Sequence, residues 1–489
     1  MAEKFDMLID GQKCQASDGA TLEVLNPATN EVLAEIPAAT PEDVQRAIGA
    51  ASAAHAKGEW AGMTPGARGN VLLKAAEIIT ARAEEFARME TADVGKPIVE
   101  SQAFDIPMAA DHLGYYGRLA VDLVGETIPT MAGVFDYTLR EPMGVVGEII
   151  PWNFPCVLAC RKLGPSLAAG NCVVIKPATW APLTTLMLAD VFAEAGLPAG
   201  VLNIVSGTGS TVGQAITDHP AVHKVSFTGS TEVGCMIMQR ASGEAKCVSL
   251  EMGGKSPAVV LADADIDGAV EGVLFGAFLN QGECCCAATR VCIDSSVHDE
   301  FVAKLVAKTK AIKVGDPMDP DVKMGPLVHP DHWDRVSRYI QCGIDEGATL
   351  LCGGPDKPQG LEKGNYIAPT VFGNVTPDMT IYREEIFGPV LTITAFDGVE
   401  ALVEAANDTD YGLAASIWTR DLRNAHTIAS RIAAGTVWLN VHNFVFSQAP
   451  YGGYKQSGLG RELGREGLLA YTETKNVIAW LGEQPFAWY

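Results

Sequence analysis

Between residues 5 and 36 apolar and polar positions alternate in short pieces, "DMLID", "LEVLNP" and "EVLAEIP", with turn residues between them. That spacing predicts short, half-buried strands. The rhythm then lengthens to a helical one. Thr40 followed by Pro41 reads as an N-cap and first helical position, opening a helix over 41–56, with further helices at about 66–91 and 98–123. From 143 onward unbroken apolar runs are followed by amphipathic stretches: "GVVGEII", "NCVVIKP", "VLNIVSG", "KVSFTGS", "CVSLEMGG" and "SPAVVLADAD". Buried strands alternating with helices indicate a parallel sheet with right-handed crossovers. A second series runs from about 270 to 440 through "ATRVCID", "ATLLCGG", "VLTITAF", "AASIWT" and "TVWLNV". The fold class expected is α/β, with two such domains in sequence.

At 489 residues the chain is too long for one core, so two or three domains fit it. A composition 48% hydrophobic and 19% charged is that of a globular protein. No run of eighteen apolar residues predicts a membrane span, and "MAEKFDMLIDGQK" lacks the apolar centre of a signal peptide, so the cytoplasm is expected. A net charge of −23 argues against nucleic-acid and anionic-membrane partners, though not against a nucleotide cofactor held by local N–H donors. Twelve cysteines without a signal sequence read as free thiols. No CxxC pair or histidine pattern supplies four ligands, so no metal is expected.

Three kinds of chemistry stand out. "VLNIVSGTGSTVG" (201–213) and "KVSFTGSTEVG" (224–234) each run from a strand into glycines, where backbone N–H groups could seat a pyrophosphate, or simply turn the chain. "FLNQGECCCAATR" (278–290) sets Cys284, Cys285 and Cys286 side by side after a polar, glycine-containing stretch. Buried cysteine is usually a small hydrophobe, but here the run is expected at a loop or helix start, where N–H dipoles favour a thiolate. Glu251 ends an apolar strand before a flexible double glycine, and Asn153 stands among prolines and aromatics in "PWNFP". Each is either a surface or loop residue, or an acid/base group and an oxyanion donor respectively.

Seven motifs in order, "PWNFP" (151–155), "KPA" (176–178), "FTGSTEVG" (227–234), "LEMGGKSP" (250–257), "NQGECCCA" (280–287), "EEIFGPV" (384–390) and "GGYKQSGLGRE" (452–462), resemble the NAD(P)-dependent aldehyde dehydrogenase superfamily of the hydrolytic, non-acylating type, over essentially the whole chain. The resemblance implies a Rossmann-like dinucleotide-binding domain (1–123 and 143–253) and a catalytic domain (254–456). It also implies a small β oligomerisation arm with a C-terminal segment (124–142 and 457–489), self-associating into a dimer or tetramer. It makes Cys285 the nucleophile, Glu251 the general base and Asn153 an oxyanion donor, an arrangement worth about 3 kcal/mol per donor elsewhere. For the cofactor, NAD, it implies Ile149, Pro151, Trp152, Lys176, Thr179, Gly209, Gly229, Ser230, Val233, Met252, Gly253, Glu385 and Phe387.

The chain departs from the pattern at two places. Many relatives carry a glutamate at the position of Thr179; without that carboxylate, and with Lys176 nearby, NADP is expected to be accepted alongside NAD. Phe154, Leu158 and Arg161 share a helix face at i, i+4 and i+7, a face that lines the aldehyde tunnel in similar proteins, where an aromatic commonly replaces Arg161. A fixed guanidinium there suits a semialdehyde acid, unless Arg161 is a surface residue paired with an acid. Asn443, Phe444 and Val445 should form the other wall. A coenzyme A-acylating enzyme and a non-catalytic structural relative are the competing readings; Glu251 argues against the first, and its presence together with Cys285 against the second.

Overall fold

The computed structural model describes residues 3–486. Its largest sheet is built on five parallel strands in the spatial order Cys247–Glu251, Lys224–Thr228, Val145–Ile149, Cys172–Lys176, Leu202–Ile204. The chain starts in the middle strand, moves outward through two strands, then returns to the other side. The direction therefore reverses between Val145–Ile149 and Lys224–Thr228, and α/β sheets open a ligand crevice at that point beyond the strands' carboxyl ends. Met7–Ile9 and Gln12–Cys14 extend one edge antiparallel, and Gly458–Leu459 covers the other by pairing with Leu250 and Glu251. A segment grouped by sequence with the oligomerisation arm thus also completes the dinucleotide-type sheet.

The second sheet orders its strands as Thr349–Cys352, Thr370–Gly373, Val390–Phe396, Arg290–Asp294, Pro257–Val260, Ala414–Trp418, Thr436–Leu439. All neighbours are parallel except the first pair. The "ATLLCGG" run, expected in the parallel series, is an antiparallel edge, half exposed and bulged between Leu350 and Cys352. Thr370–Gly373 was not anticipated; four residues between Pro369 and a glycine carry too little pattern to read.

The helix expected at 41–56 spans Pro41–Lys57 and is closed by a reciprocal cap: Thr40 Oγ1 accepts from the Asp43 N–H while the Asp43 carboxylate accepts from the Thr40 N–H. The expected 66–91 helix is two, Pro65–Ala81 and Ala83–Val94, broken at Arg82. Leu72, Ile78, Ile79, Phe86 and Ala87 are all buried across that break, so the apolar pattern conceals it. The third, 98–123, carries a π-turn at Ser101–Asp105 ahead of Ile106–Leu119. Such a turn adds a residue to the helical register and often marks a functional site.

The "VFDYTLR" run lies in the strand Val134–Pro142. It finds its partner edge inside the chain, with Thr472–Trp480 on one side and Thr127–Ile128 on the other. Ile128, Phe135, Ile478 and Trp480 stay exposed on this three-stranded sheet.

Candidate active site

A cavity of about 570 Å³ opens at the switch point of the first sheet and runs past the cysteine run. Pro151, Trp152, Thr228, Gly229, Ser230, Met252 and Gly253, each at or just beyond a strand end, form one side. Cys284, Cys285, Cys286, Glu385 and Phe387 come from the second body of the chain.

The thiols sit on a loop rather than a helix start. Asn280, Gln281 and Gly282 all have positive φ (51°, 55° and 71°), a sharp reversal that delivers the run to the cavity. At 282 a Cβ would lie 2.4 Å from the Gly388 carbonyl oxygen, so only glycine fits. Cys284 and Cys286 are 8% and 5% exposed, whereas Cys285 is the more open of the three. The Cys284 and Cys286 sulfurs lie 3.5 Å apart, and Cys286 Sγ is 3.3 Å from Asn443 Oδ1. Cys285 Sγ faces Tyr451 Oη at 3.8 Å. Hydrogen bonding to Cys284 lowers the Cys285 pKa, but the contact with Cys286 and burial outweigh it and push it up to about 12. Hydrogen bonds from Cys284 and Cys285 hold Cys286 well below the usual thiol range. Access decides between them: Cys286 Sγ is engaged on two sides, and Cys285 is the thiol a substrate can reach. The expected thiolate-favouring helix dipole is absent at Cys285, so its proton must leave to another group.

Asn153 is buried against the same loop. Its side-chain Nδ2 donates to the Glu283 carbonyl at 2.9 Å, which leaves the second N–H of that amide free. Glu251 is 4% exposed at the end of its strand and, unlike Cys285 and Asn153, does not line the cavity. Its Oε2 has no hydrogen-bond partner. Burial first, then the charge of Glu462, raises its pKa well above the carboxylate range and favours the protonated form. Glu462 is held by Lys162, one residue after Arg161. Sequence reasoning missed this buried pair; each partner lay inside or beside a quoted motif, but nothing in the spacing joined them.

Of the cofactor candidates, Pro151, Trp152, Gly229, Ser230, Met252, Gly253, Glu385 and Phe387 line the cavity; Ile149, Lys176, Thr179, Gly209 and Val233 do not. Ile149 and Lys176 flank Gly213 at the end of the π-turn Gly209–Gly213. Burial lowers the Lys176 ammonium to about 8, and it donates to the Pro177 carbonyl at 2.8 Å. Thr179 Oγ1 donates to the Gly207 carbonyl at 3.1 Å. The Val233 N–H caps onto Ser230 Oγ at 3.4 Å, which starts the helix Thr231–Ala241. Glu385 Oε1 accepts from the Gly254 N–H at 2.8 Å, and burial lifts its pKa to about 7. A Cβ at Gly253 would come within 2.1 Å of Glu385 Oε2, and one at Gly229 within 2.4 Å of the Phe227 ring. Trp152 packs edge-on against Phe387 at 5.2 Å. A crevice at a topological switch point, floored by glycines and closed by an aromatic pair, fits a dinucleotide.

Phe154 caps the helix Pro155–Ala168, and Phe154, Leu158 and Arg161 line the cavity opposite Asn443, Phe444 and Val445. Phe446, in the same 441–446 segment, extends that wall, and Phe104, Met108, Phe275 and Tyr451 also line the cavity and were not anticipated. Phe104 and Met108, four apart, were readable as a helix face; Phe275 and Tyr451 carried no signal. Arg161 is not a paired surface residue: it is 8% exposed, its Nε has no hydrogen-bond partner, and among the described residues it forms no ion pair. Its guanidinium lies 5.4 Å from the Tyr451 ring centroid.

Comparison with known proteins agrees with the seven-motif resemblance. The aldehyde dehydrogenase family model matches residues 14–477. The mitochondrial aldehyde dehydrogenase of Rattus norvegicus is 46% identical over 473 residues, 96% of this chain and 91% of that protein. An aldehyde dehydrogenase of Aspergillus niger is 45% identical over 485 residues, 99% of this chain and 97% of the other. The NAD+ complex of a Bacillus cereus aldehyde dehydrogenase superposes with a TM-score of 0.96 at 43% identity, covering 98% and 97% of the two chains. This chain belongs to the aldehyde dehydrogenase family.

Proposed function

We propose that this protein oxidises an aldehyde to the carboxylic acid with NAD, through a covalent intermediate on Cys285. The observation that carries the reading is the one accessible thiol of the run, set in the cavity that Asn153 bounds on one side and Gly253 and Glu385 on another. The Cys285 thiol releases its proton to solvent through the cavity, its sulfur adds to the carbonyl carbon, and the oxygen takes the negative charge. The free N–H of the Asn153 amide and the Cys285 backbone N–H hold that oxyanion. When bound between Trp152, Gly229, Glu385 and Phe387, NAD supplies the acceptor for the hydride that leaves this carbon. The thioester left on Cys285 is cleaved by water: Glu251, in its ionised form, takes the water proton, the carbon–sulfur bond breaks, and the acid departs.

The unpaired Arg161 supports a finer reading, that the aldehyde carries a carboxylate at its far end, as a semialdehyde acid does. A buried guanidinium that meets an aromatic face but no anion is costly until an anion reaches it. At the cofactor side, the neutral Thr179 beside Lys176 supports use of NADP as well as NAD; a kcat/KM for NADP below a hundredth of that for NAD would reject it. The exposed apolar residues of the 134–142 and 472–480 strands support self-association into a dimer or tetramer through that sheet.

The deciding assay follows reduced-cofactor absorbance over a panel of aldehydes, with and without coenzyme A. Turnover independent of coenzyme A is the expected result. Turnover that requires it would make the enzyme an acylating one, and none with any aldehyde would leave a structural relative.

A further inference from the structure

The oxyanion role of Asn153 depends on where its amide points, and the main chain that carries it is held from an unexpected direction. Lys96, fully buried just before the helix turn Ile98–Glu100, sends its Nζ to the Asn153 carbonyl at 2.9 Å and to Asp105 Oδ2 at 2.5 Å. Its ammonium also lies 4.0 Å from the centroid of the Phe154 ring, the next residue along. Asn280 Nδ2 donates to the same Asn153 carbonyl at 2.9 Å and to the Glu283 carbonyl at 3.1 Å. The carbonyl therefore uses both lone pairs, while the side-chain Nδ2 is pinned to the Glu283 carbonyl. The amide is fixed at its root and at its tip, with one N–H left over. Asp105 ends the π-turn Ser101–Asp105 and lines the tunnel beside Phe104 and Met108, so the extra helical residue brings the lysine's counter-ion to the site.

We infer that Lys96 is a positioning residue for the oxyanion: through the Asn153 carbonyl it orients the amide that meets the developing charge. This rests on the proposed role of Asn153. Lys96 reaches neither the thiol nor the substrate; it acts by fixing the peptide between Asn153 and Phe154 where the chain enters the helix Pro155–Ala168. A displacement on the order of 1 Å at such a group costs about 100-fold in rate.

The test compares two reactions of the same thiol in the full-length protein. Aldehyde oxidation builds an oxyanion; alkylation of Cys285 by iodoacetamide, located by tandem mass spectrometry, does not. Lys96→Met should lower kcat for aldehyde oxidation by about 10- to 100-fold, leaving the rate of Cys285 alkylation and the KM for NAD within about twofold. Because this change strands the buried Asp105 carboxylate, Lys96→Met/Asp105→Asn is measured beside it and read the same way if the single variant does not fold. Asn153→Ala should lose about 10²- to 10³-fold in kcat with alkylation retained, and adding Lys96→Met to it should cost nothing further. If Asn153→Ala keeps full turnover, the oxyanion role and this inference both fall. If Asn153→Ala is impaired but the Lys96 variants turn over normally, lose alkylation in parallel, or add their loss to that of Asn153→Ala, Lys96 alone is excluded.

Discussion

The two ends of the cavity are built on opposite plans. At the cofactor end the charged groups already have protein partners: Glu385 accepts from Gly254, Lys176 donates to the Pro177 carbonyl, and glycines set the shape. A ligand there exchanges contacts, so the arrangement suits any molecule with the common dinucleotide frame. At the aldehyde end the wall is mostly aromatic and aliphatic, and its cation, Arg161, meets the Tyr451 ring but forms no ion pair among the described residues. On the proposed reading the first end is generic and pre-satisfied, the second selective because it is incomplete, and Cys285 stands between them where the two ligands meet.

The contrast breaks most sharply at the thiol. Cys285→Ala should reduce aldehyde oxidation by about 10⁴-fold or more while NAD binding, measured by calorimetry, stays intact; Cys284→Ala should keep most activity. The reverse pattern would move the nucleophile. Glu251→Gln should slow thioester hydrolysis by about 10²- to 10⁴-fold, so an acylated Cys285 accumulates and is visible by mass spectrometry after quenching. In the wild type that step needs the ionised carboxylate, so its rate rises with pH from the acid side. The folded-state pKa of Glu251 lies above the unfolded one; the stability it contributes is full below the unfolded pKa and is lost as pH rises through the folded value. Denaturant midpoints should therefore fall less steeply on alkalinisation in Glu251→Gln than in the wild type.

Smaller effects sharpen the comparison at each end. Arg161→Met should cut kcat/KM for carboxylate-bearing aldehydes by about 10- to 100-fold, the range of a charge-assisted hydrogen bond, and spare neutral aldehydes of equal length. Equal losses on both would deny the aldehyde end its selectivity. The smallest effect belongs to the cofactor end. With its carboxyl at about 7, Glu385 is mostly neutral at pH 6 and mostly ionised at pH 8. The KM for NAD should fall over that interval by about fivefold, the difference between a neutral and a charged acceptor, and the fall should vanish in Glu385→Gln.

Much of this was legible in the chain. Buried runs and helical spacing located both sheets, and the Thr40-Pro41 cap located its helix, because each signal is local. The order of strands, the antiparallel edge at Thr349–Cys352 and the split at Arg82 were not, because pairing is decided by residues far apart in sequence. The same holds at the site. Cys285, Glu251 and Asn153 sit in compact motifs, as do Phe154, Leu158 and Arg161. Tyr451, Lys96 and the Lys162–Glu462 pair reach the centre from separate elements and leave no periodic trace. Nor could sequence tell that Arg161 forms no ion pair among the described residues, which depends on every neighbour at once.

The pairing of Gly458–Leu459 with Leu250 and Glu251 has a consequence for synthesis. The strand that ends in Glu251 leaves the ribosome about 200 residues before the short strand that covers its edge. At 5–20 residues per second that is a delay of roughly 10–40 s. Until it ends, one border of the dinucleotide-type sheet stays open, and premature termination anywhere in that interval would release a chain with a bare, sticky margin and no finished centre.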